Sequence, residues 1–190
     1  MKGSLESDGI KPEMMCYPED LCLLEADRRW WVIHTKPNQE RKLSRQLREL
    51  EVPHFLPLVE KKKARSNLRK RKYPIVPLFP GYLFFAGENE ERIKVLQTGR
   101  TANVMSILNQ ELIRQELHQV LCALQSGLTI DPYQNIRTGT RCRIISGPGM
   151  GLEGKVIRRT KKCKLIIEVQ TIGQSIAVEI SAEDLAVIQD

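Results

Sequence analysis

Residues 77–85 read P-L-F-P-G-Y-L-F-F and contain three of the four phenylalanines in the chain. Two prolines and a glycine among the first five positions favour a turn, because these residues fix or permit backbone angles that regular strands do not use. The apolar run that follows, Tyr82–Ala86, has the composition and length of a short buried strand. This stretch therefore predicts a tight turn that leads into a β-strand.

The side chains of this strand divide between two faces. Successive residues of a strand point to opposite sides, so Tyr82 and Phe84 share one face while Leu83 and Phe85 share the other. One face must cover the helices, and the other can present an apolar, aromatic patch beside Phe79 on the preceding turn. From the residues alone, these rings either form ordinary core or anchor a partner protein.

The elements upstream complete half of a layered domain. Residues 30–35 read W-W-V-I-H-T, which has the composition of a strand and stops before Pro37. A helix is expected over 39–51, where leucines recur at spacings of four and three, and Pro53 ends it. Residues 54–59 read as a second strand.

The elements downstream repeat the pattern. We expect a helix over 89–97 with Ile93 and Leu96 facing inward, then a strand over 101–108 and a helix over 111–125. The order strand-helix-strand-strand-helix-strand is that of a split β-α-β, ferredoxin-like sandwich. The sequence therefore predicts an α+β N-terminal domain.

A strongly basic segment separates the second strand from the aromatic one. Residues 61–72 hold eight basic side chains and no acidic one, and only Ala64 and Leu68 could anchor them in a core. We expect an exposed hairpin tip or loop. Phosphate contacts would give it salt-dependent binding to nucleic acid, although a merely solvated loop has the same composition. The candidate nucleic-acid contacts are Lys61, Lys62, Lys63, Arg65, Arg69, Lys70, Arg71 and Lys72.

The chain divides at two stretches that have no hydrophobic period. We expect a flexible N-terminal arm over 1–28, the α+β domain over 29–126, a linker over 127–137 and a second domain over 138–190. The arm holds seven acidic and three basic side chains, so its net charge is −4. The rest of the chain therefore carries +11, which gives the total net charge of +7. Such asymmetry favours nucleic acid or an anionic ribonucleoprotein as a partner.

The second domain reads as short strands separated by turns. Strands are expected over 141–145, 153–159, 163–170, 174–180 and 185–188. Strands this short favour a small, all-β, SH3-like closed barrel, since closure removes the exposed edges of the sheet.

A glycine-rich segment lies between the first two of these strands. Residues 146–155 read S-G-P-G-M-G-L-E-G-K and contain the G-x-G-x-x-G and G-x-x-x-x-G-K patterns of nucleotide sites. However, Val156 follows where a P-loop needs Ser or Thr, and β-branched residues follow where a helix should begin. We interpret the segment as a turn in which glycine permits positive φ angles. Its glycines are Gly147, Gly149, Gly151 and Gly154.

The sequence contains no catalytic or metal-binding constellation. The five cysteines form no C-x-x-C pair and lie far from the three histidines, so neither a zinc site nor a disulfide framework is predicted. No nucleophile–base pair or carboxylate cluster suggests an enzyme, and no cofactor is expected. No apolar run approaches the roughly 20 residues of a membrane span, and the N-terminus does not read as a signal peptide. A cytoplasmic protein is expected.

Several motifs resemble those of a known family. W-W-V-I-H-T at 30–35, P-x-x-E-x-K-x-x-x-x-L over 37–47 and the run at 77–85 are similar to the NusG N-terminal domain. R-C-R-I-I-S-G-P-G-M-G-L-E-G-K-V-I-R in the second domain resembles the KOW motif. The resemblance extends over residues 30–190 in the domain order of the family. The closer likeness is to specialised paralogs of the RfaH and LoaP kind, which also carry P-L-F-P-x-Y-L-F.

This resemblance implies a monomeric, non-enzymatic transcription elongation or antitermination factor. Phe79, Tyr82, Phe84 and His34 match the family's docking pocket for the clamp helices, a coiled coil on the largest RNA polymerase subunit. The KOW domain is implied to recruit a ribosomal small-subunit protein or Rho, and the basic segment to lie near upstream or non-template DNA. Because some ribosomal proteins also carry KOW motifs, a ribosome-associated RNA-binding protein is the alternative.

Overall fold

The computed structural model describes residues 15–21, 23–24, 28–60, 74–133, 139–159 and 162–188. The helices and strands are, in chain order, β1 (Cys16–Tyr17), β2 (Trp30–Thr35), α1 (Glu40–Glu49), β3 (His54–Phe55), β4 (Leu58–Glu60), β5 (Ile75–Pro77), β6 (Tyr82–Ala86), α2 (Asn89–Gln97), β7 (Thr101–Ser106), α3 (Gln110–Gln125), β8 (Ile130–Tyr133), β9 (Thr140–Ile144), β10 (Glu153–Arg159), β11 (Lys162–Val169), β12 (Gln174–Ile180) and β13 (Leu185–Val187).

The N-terminal domain is built on a five-stranded antiparallel sheet in the order β1-β3-β6-β2-β7. Leaving out β1, this is the strand order of a ferredoxin-like sandwich, as the sequence predicts. The two central strands consist almost entirely of aromatic and branched residues, and helices pack on both faces of the sheet. Strands β4 and β5 form a separate antiparallel pair, which residues 61–74 connect.

Helices α1 and α2 cover one face of this sheet. Ser44 on α1 lies 2.8 Å from the imidazole of His54, and the indole N–H of Trp31 donates to the carbonyl of Gly87 just before α2 at 2.9 Å. Helix α3 lies on the opposite face. The side chain of its first residue, Gln110, bonds both the backbone N–H and the carbonyl of Trp30, at 2.8 and 3.0 Å.

The C-terminal domain is a six-stranded antiparallel sheet in the order β13-β9-β10-β11-β12-β8. Alternate residues of β11, from Cys163 to Val169, and of β12, from Ile176 to Ile180, point into one aliphatic core. Leu128, just before β8, packs beside Gly149 and Ile144 at the other end of the sheet. The two edges therefore approach each other, which confirms the barrel-like architecture.

The chain before Trp30 corrects one expectation. The flexible arm predicted over residues 1–28 includes strand β1, which pairs with β3 through Cys16 and Phe55. Four apolar side chains of this stretch are buried against the N-terminal sheet, namely Met15, Cys16, Leu21 and Leu23. The ordered fold thus begins before Trp30, and residues 1–14 lie outside the described residues.

Two further expectations differ from the structure. Ile93 and Leu96 were predicted to face inward, but both are exposed and Val95 is the buried residue of α2. The expected linker over 127–137 contains β8, which pairs with β12 and so belongs to the C-terminal sheet. None of the described helices is long and apolar enough to cross a membrane.

Candidate functional site

The turn before β6 sets the position of the aromatic strand. Pro80 and Gly81 occupy the centre of a four-residue turn that is closed by a hydrogen bond from the Tyr82 N–H to the Phe79 carbonyl at 3.1 Å. Gly81 has a φ of +86°, which a type II turn requires at its third residue. The carboxylate of Glu40 on α1 accepts the Gly81 N–H at 2.7 Å, so the turn is anchored to the first helix.

His34 and Tyr82 lie side by side at the end of the sheet. They are register partners on β2 and β6, and their ring centroids are 5.4 Å apart with planes tilted by 40°. His34 is exposed and Tyr82 is half-buried. Because paired residues of antiparallel strands share a face, Asn103 lies beside His34. Met105, two residues further along β7 and opposite Val32, lies on the same face. We call His34, Tyr82, Asn103 and Met105 the open patch.

Phe79 and Phe84, the other two residues expected at the docking surface, are buried. Phe84 has no exposed surface and Phe79 only 1%. Phe84 lies between Val32 on β2 and Phe55 on β3, with the two phenyl centroids 6.5 Å apart. In this conformation both rings are core, and the accessible part of the predicted site is reduced to His34 and Tyr82.

Helix α3 accounts for this division of one sheet face. It begins beside Trp30 and contacts β2, and its buried Ile113, Leu117 and Val120 recur at helical spacing. The Trp30 end of the face is therefore covered, whereas the His34 end is accessible. Sequence reasoning missed Asn103 and Met105, because only the pairing register of β7 brings them to this end.

The most strongly perturbed ionisable group lies on the opposite face. His54 is almost fully buried, donates its Nδ1–H to the Val52 carbonyl at 2.8 Å and accepts at Nε2 from the Ser44 hydroxyl at 2.8 Å. Burial, with a smaller contribution from the positive charge of Arg48, lowers the pKa of this imidazole from 6.5 to about 4. His54 is a structural group that stays neutral near pH 7.

The four glycines of the segment 146–155 serve the backbone geometry of the second domain. Gly147, Gly149 and Gly151 have φ angles of +73°, +81° and +94°, in the turn that joins β9 to β10. At Gly154 a methyl group would lie 2.2 Å from the carbonyl oxygen of Ile166 on the neighbouring strand. The segment is followed by strand β10 and not by a helix, so it has no helix N-terminus to hold a phosphate.

Acidic partners offset the described basic side chains on the outside of the C-terminal domain. Arg141 and Arg143 lie within 4 Å of Glu153, and Lys155 bonds Glu168 at 2.8 Å. Lys164 lies 3.9 Å from Asp131. These pairs leave little net charge for binding nucleic acid through this part of the domain.

The expected nucleic-acid contacts at 61–72 lie outside the described residues, between the paired strands β4 and β5. Among the side chains that the structure does describe, no group of three or more His, Cys, Asp or Glu residues could hold a metal ion. The described cysteines are free thiols, and three of them, Cys16, Cys142 and Cys163, are buried.

Comparison with known proteins identifies the N-terminal domain. The family described as "Transcription termination factor nusG" matches residues 28–121, which span the strands from β2 to β7, α1, α2 and most of α3. The chain belongs to the NusG family. Members of this family are non-enzymatic transcription factors, so its broad role is in transcription elongation and its regulation, in association with RNA polymerase.

A solved structure of a NusG protein shares the fold. A structure described as "Domain interaction in Thermotoga maritima NusG" is similar with a TM-score of 0.51 and 16% identity, covering 86% of this chain and 98% of that chain. The MjSpt4:Spt5 complex in conformation B is matched at 15% identity with a TM-score of 0.30, covering 85% and 97%. A search of curated proteins found no match.

Proposed function

We propose that this NusG-type protein is an elongation and antitermination factor that holds the clamp helices of RNA polymerase with its open patch. The observation that carries the proposal is the accessible pair of rings at His34 and Tyr82, 5.4 Å apart at the uncovered end of the sheet. Half-buried aromatic side chains on a rigid strand lose little conformational entropy on binding and are typical anchors of protein interfaces. Met105 extends the apolar part of this surface.

The buried phenylalanines flank the patch and hold its strand in place. Phe84 follows Tyr82 by two residues on the same face of β6 and is fully buried, and the Phe79 carbonyl fixes the start of that strand. In this proposal they position the anchors and do not themselves touch the clamp helices. Binding then needs no rearrangement of the core.

The basic segment 61–72 supplies a second contact, to upstream or non-template DNA. The segment connects β4 to β5 and carries eight positive charges. Each phosphate that a protein neutralises contributes about 0.9 to the slope of log affinity against log salt on duplex DNA. Deleting residues 61–72 should therefore flatten this slope by several units for a complex that contains DNA.

The C-terminal domain acts as the recruiting module, for a ribosomal small-subunit protein or Rho. Suppression of pausing or termination follows when the N-terminal domain stays on the polymerase while the second domain brings this partner to it. The protein works as a monomer in the cytoplasm, without a cofactor and without catalysis.

Retention on two baits tests the proposal. Full-length protein is passed over immobilised clamp helices and over immobilised ribosomal RNA, each at low and physiological salt. We expect the protein to be retained on the clamp helices. This retention should change little with salt concentration, because the contact is mainly apolar. Retention on ribosomal RNA alone would instead support the ribosome-associated alternative.

A further inference from the structure

The end of the N-terminal sheet that is opposite to the open patch carries a cluster of arginines. Strand β2 begins here, directly after Arg28 and Arg29, and its antiparallel neighbours β6 and β7 end here. These strand ends and the start of α3 enclose a crevice of about 470 Å³, whose lining includes Arg28, Arg29, Arg114, Glu88 and Leu108. We call it the arginine crevice.

Arg114 on α3 has a buried hydrogen-bond donor without a partner in the described part of the chain. Its side chain lines the crevice, and the residue is only 9% exposed. The Nη2 group donates to the Glu111 carboxylate at 3.0 Å, whereas the Nε–H donates to nothing. Buried donors are normally paired, because an unpaired one loses its bond to water without a replacement. The Nε–H of Arg114 therefore indicates an acceptor that the crevice binds.

The start of α3 adds backbone donors to the same place. The helix has 16 residues and begins at Gln110, and the N–H groups of Gln110 and Glu111 have no partner within it. The aligned peptide dipoles also give this end of the helix a partial positive charge, which favours anions. The Gln110 side chain bonds both the N–H and the carbonyl of Trp30, so the neighbouring Arg29 is held beside these donors.

The carboxylates at the crevice do not cancel its positive charge. Glu88 is engaged in capping the N-terminus of α2, and Glu111 pairs with Arg114. The Arg29 guanidinium lies over the ring of Trp31, 4.8 Å from the centroid, and this contact orients the charged group without neutralising it. Three arginines beside two engaged carboxylates leave the crevice positive.

We propose that the arginine crevice binds the phosphoryl group of a nucleotide. Guanidinium groups match the oxygens of a phosphoryl group in pairs, and these oxygens also accept the first N–H groups of α3. The Nε–H of Arg114 then gains its missing acceptor, while Arg28 and Arg29 meet the same group from the side of β2. Leu108, which is 98% exposed, provides an apolar rim on which the base or the ribose packs. The nucleotide is bound and not converted.

The nucleotide site is independent of the open patch. The two surfaces lie at opposite ends of β2, with Trp30 at one end and His34 near the other. A nucleotide can therefore be bound while the clamp helices are held. A free nucleotide and a nucleic acid chain offer the same phosphoryl chemistry, so the experiment must distinguish these two sources.

The first test locates the ligand and identifies its source. Full-length protein is titrated with ADP and with pyrophosphate, and amide shifts at Gln110 and Glu111 are recorded together with the affinity. Both ligands should shift these amides, and ADP should bind at least about threefold more tightly, because only ADP packs on Leu108. A thymidine hexanucleotide without a terminal phosphate is the third ligand. Binding weaker than that of ADP assigns the site to a free nucleotide, and tighter binding assigns it to a nucleic acid chain.

The second test asks whether the arginines hold the phosphoryl group. Arg114→Lys keeps the positive charge but removes the Nε–H, and it should weaken ADP binding by at least about tenfold. The double variant Arg28→Ala, Arg29→Ala should weaken it by a similar factor. Arg143→Ala is the matched control, because it removes an exposed guanidinium from the C-terminal domain, and it should bind ADP as the native protein does.

Two outcomes contradict the proposal: amides of Gln110 and Glu111 that do not respond to ADP, or equal ADP affinity in the crevice variants and in Arg143→Ala. If Arg114→Lys loses its cooperative unfolding transition, the double variant decides alone, since neither of its residues is buried. Neither measurement includes RNA polymerase. A negative result therefore removes the nucleotide site and leaves clamp-helix docking by the open patch to its own test.

Discussion

The N-terminal domain and the C-terminal domain of this protein build their cores from different residues. All four phenylalanines and both tryptophans lie between residues 30 and 85, whereas residues 139–190 contain no aromatic residue. The N-terminal core is a packing of large rings on a sheet between helices. The C-terminal core is aliphatic, and its shape depends on glycines that permit a tight turn and a close strand approach.

This difference decides where each domain can interact with a partner. Large rings that share a sheet face bury one another, so only those at the end of the sheet, such as Tyr82, stay accessible. The core of the barrel is aliphatic, and on its outside the backbone N–H groups of Gln170 and Thr171 bond the Glu116 carboxylate of α3.

The largest effect is expected where the backbone geometry of the C-terminal domain leaves no room. In Gly154→Ala the new methyl group would meet the Ile166 carbonyl oxygen at 2.2 Å, so β10 and β11 must separate. We expect a loss of about 5 kcal/mol or more, enough to unfold this domain. Chemical denaturation measures it. Gly173→Ala is the control, since a Cβ there meets nothing within 4 Å and only the left-handed backbone, with φ of +63°, costs it about 1 to 2 kcal/mol. Equal losses in the two variants would contradict the account.

The second effect concerns the aromatic core of the N-terminal domain. Phe84→Ala removes a fully buried ring between Val32 and Phe55 and should lower the free energy of unfolding by about 4 kcal/mol. Tyr82→Ala, two residues earlier on the same face, should cost less than about 2 kcal/mol, because that ring is half-buried. Urea denaturation of both variants measures the two losses in the free energy of unfolding. Equal losses would mean that the two rings share one environment.

The third effect depends on pH and is confined to the N-terminal domain. The pKa of His54 is about 4 in the folded protein and 6.5 in a solvated chain, so the unfolded state binds the proton more readily. Stability is therefore fully present above pH 6.5 and falls as the pH drops towards 4, by roughly 3 kcal/mol in total. His54→Gln should remove this part of the pH dependence. Denaturation midpoints between pH 4 and 7 measure it, and an unchanged slope in the variant would argue against a neutral, buried imidazole.

Regular alternation and helical spacing made most of the fold predictable from the sequence. The aromatic runs at 30–35 and 82–86 predict the two central strands, and the glycine segment at 146–155 predicts a turn and no nucleotide site. Each is a local pattern whose physical cause lies within a few residues. The ferredoxin-like order follows because these strands alternate with amphipathic helices.

The features that the sequence did not predict depend on contacts between residues far apart in the chain. Strand β1 has two residues and no period, and it is ordered by its pairing with β3 and by the burial of apolar side chains such as Met15 and Leu23. Helix α2 is so short that one buried residue, Val95, decides its orientation, and Ile93 and Leu96 then face solvent. The burial of Phe79 and Phe84 depends on how strands and helices meet. Composition could not distinguish them from Tyr82.

The smallest effect on stability, and the most direct test of the central claim, belongs to the open patch. The affinity of full-length protein for the polymerase clamp helices is measured by isothermal titration for the native chain and for the double variant His34→Ala, Tyr82→Ala. The control is Ile93→Ala, Leu96→Ala, which removes exposed apolar side chains elsewhere on the same domain. We predict at least about a tenfold loss of affinity for the patch variant, with its unfolding still cooperative, and none for the control. Native affinity in the patch variant would contradict docking through His34 and Tyr82.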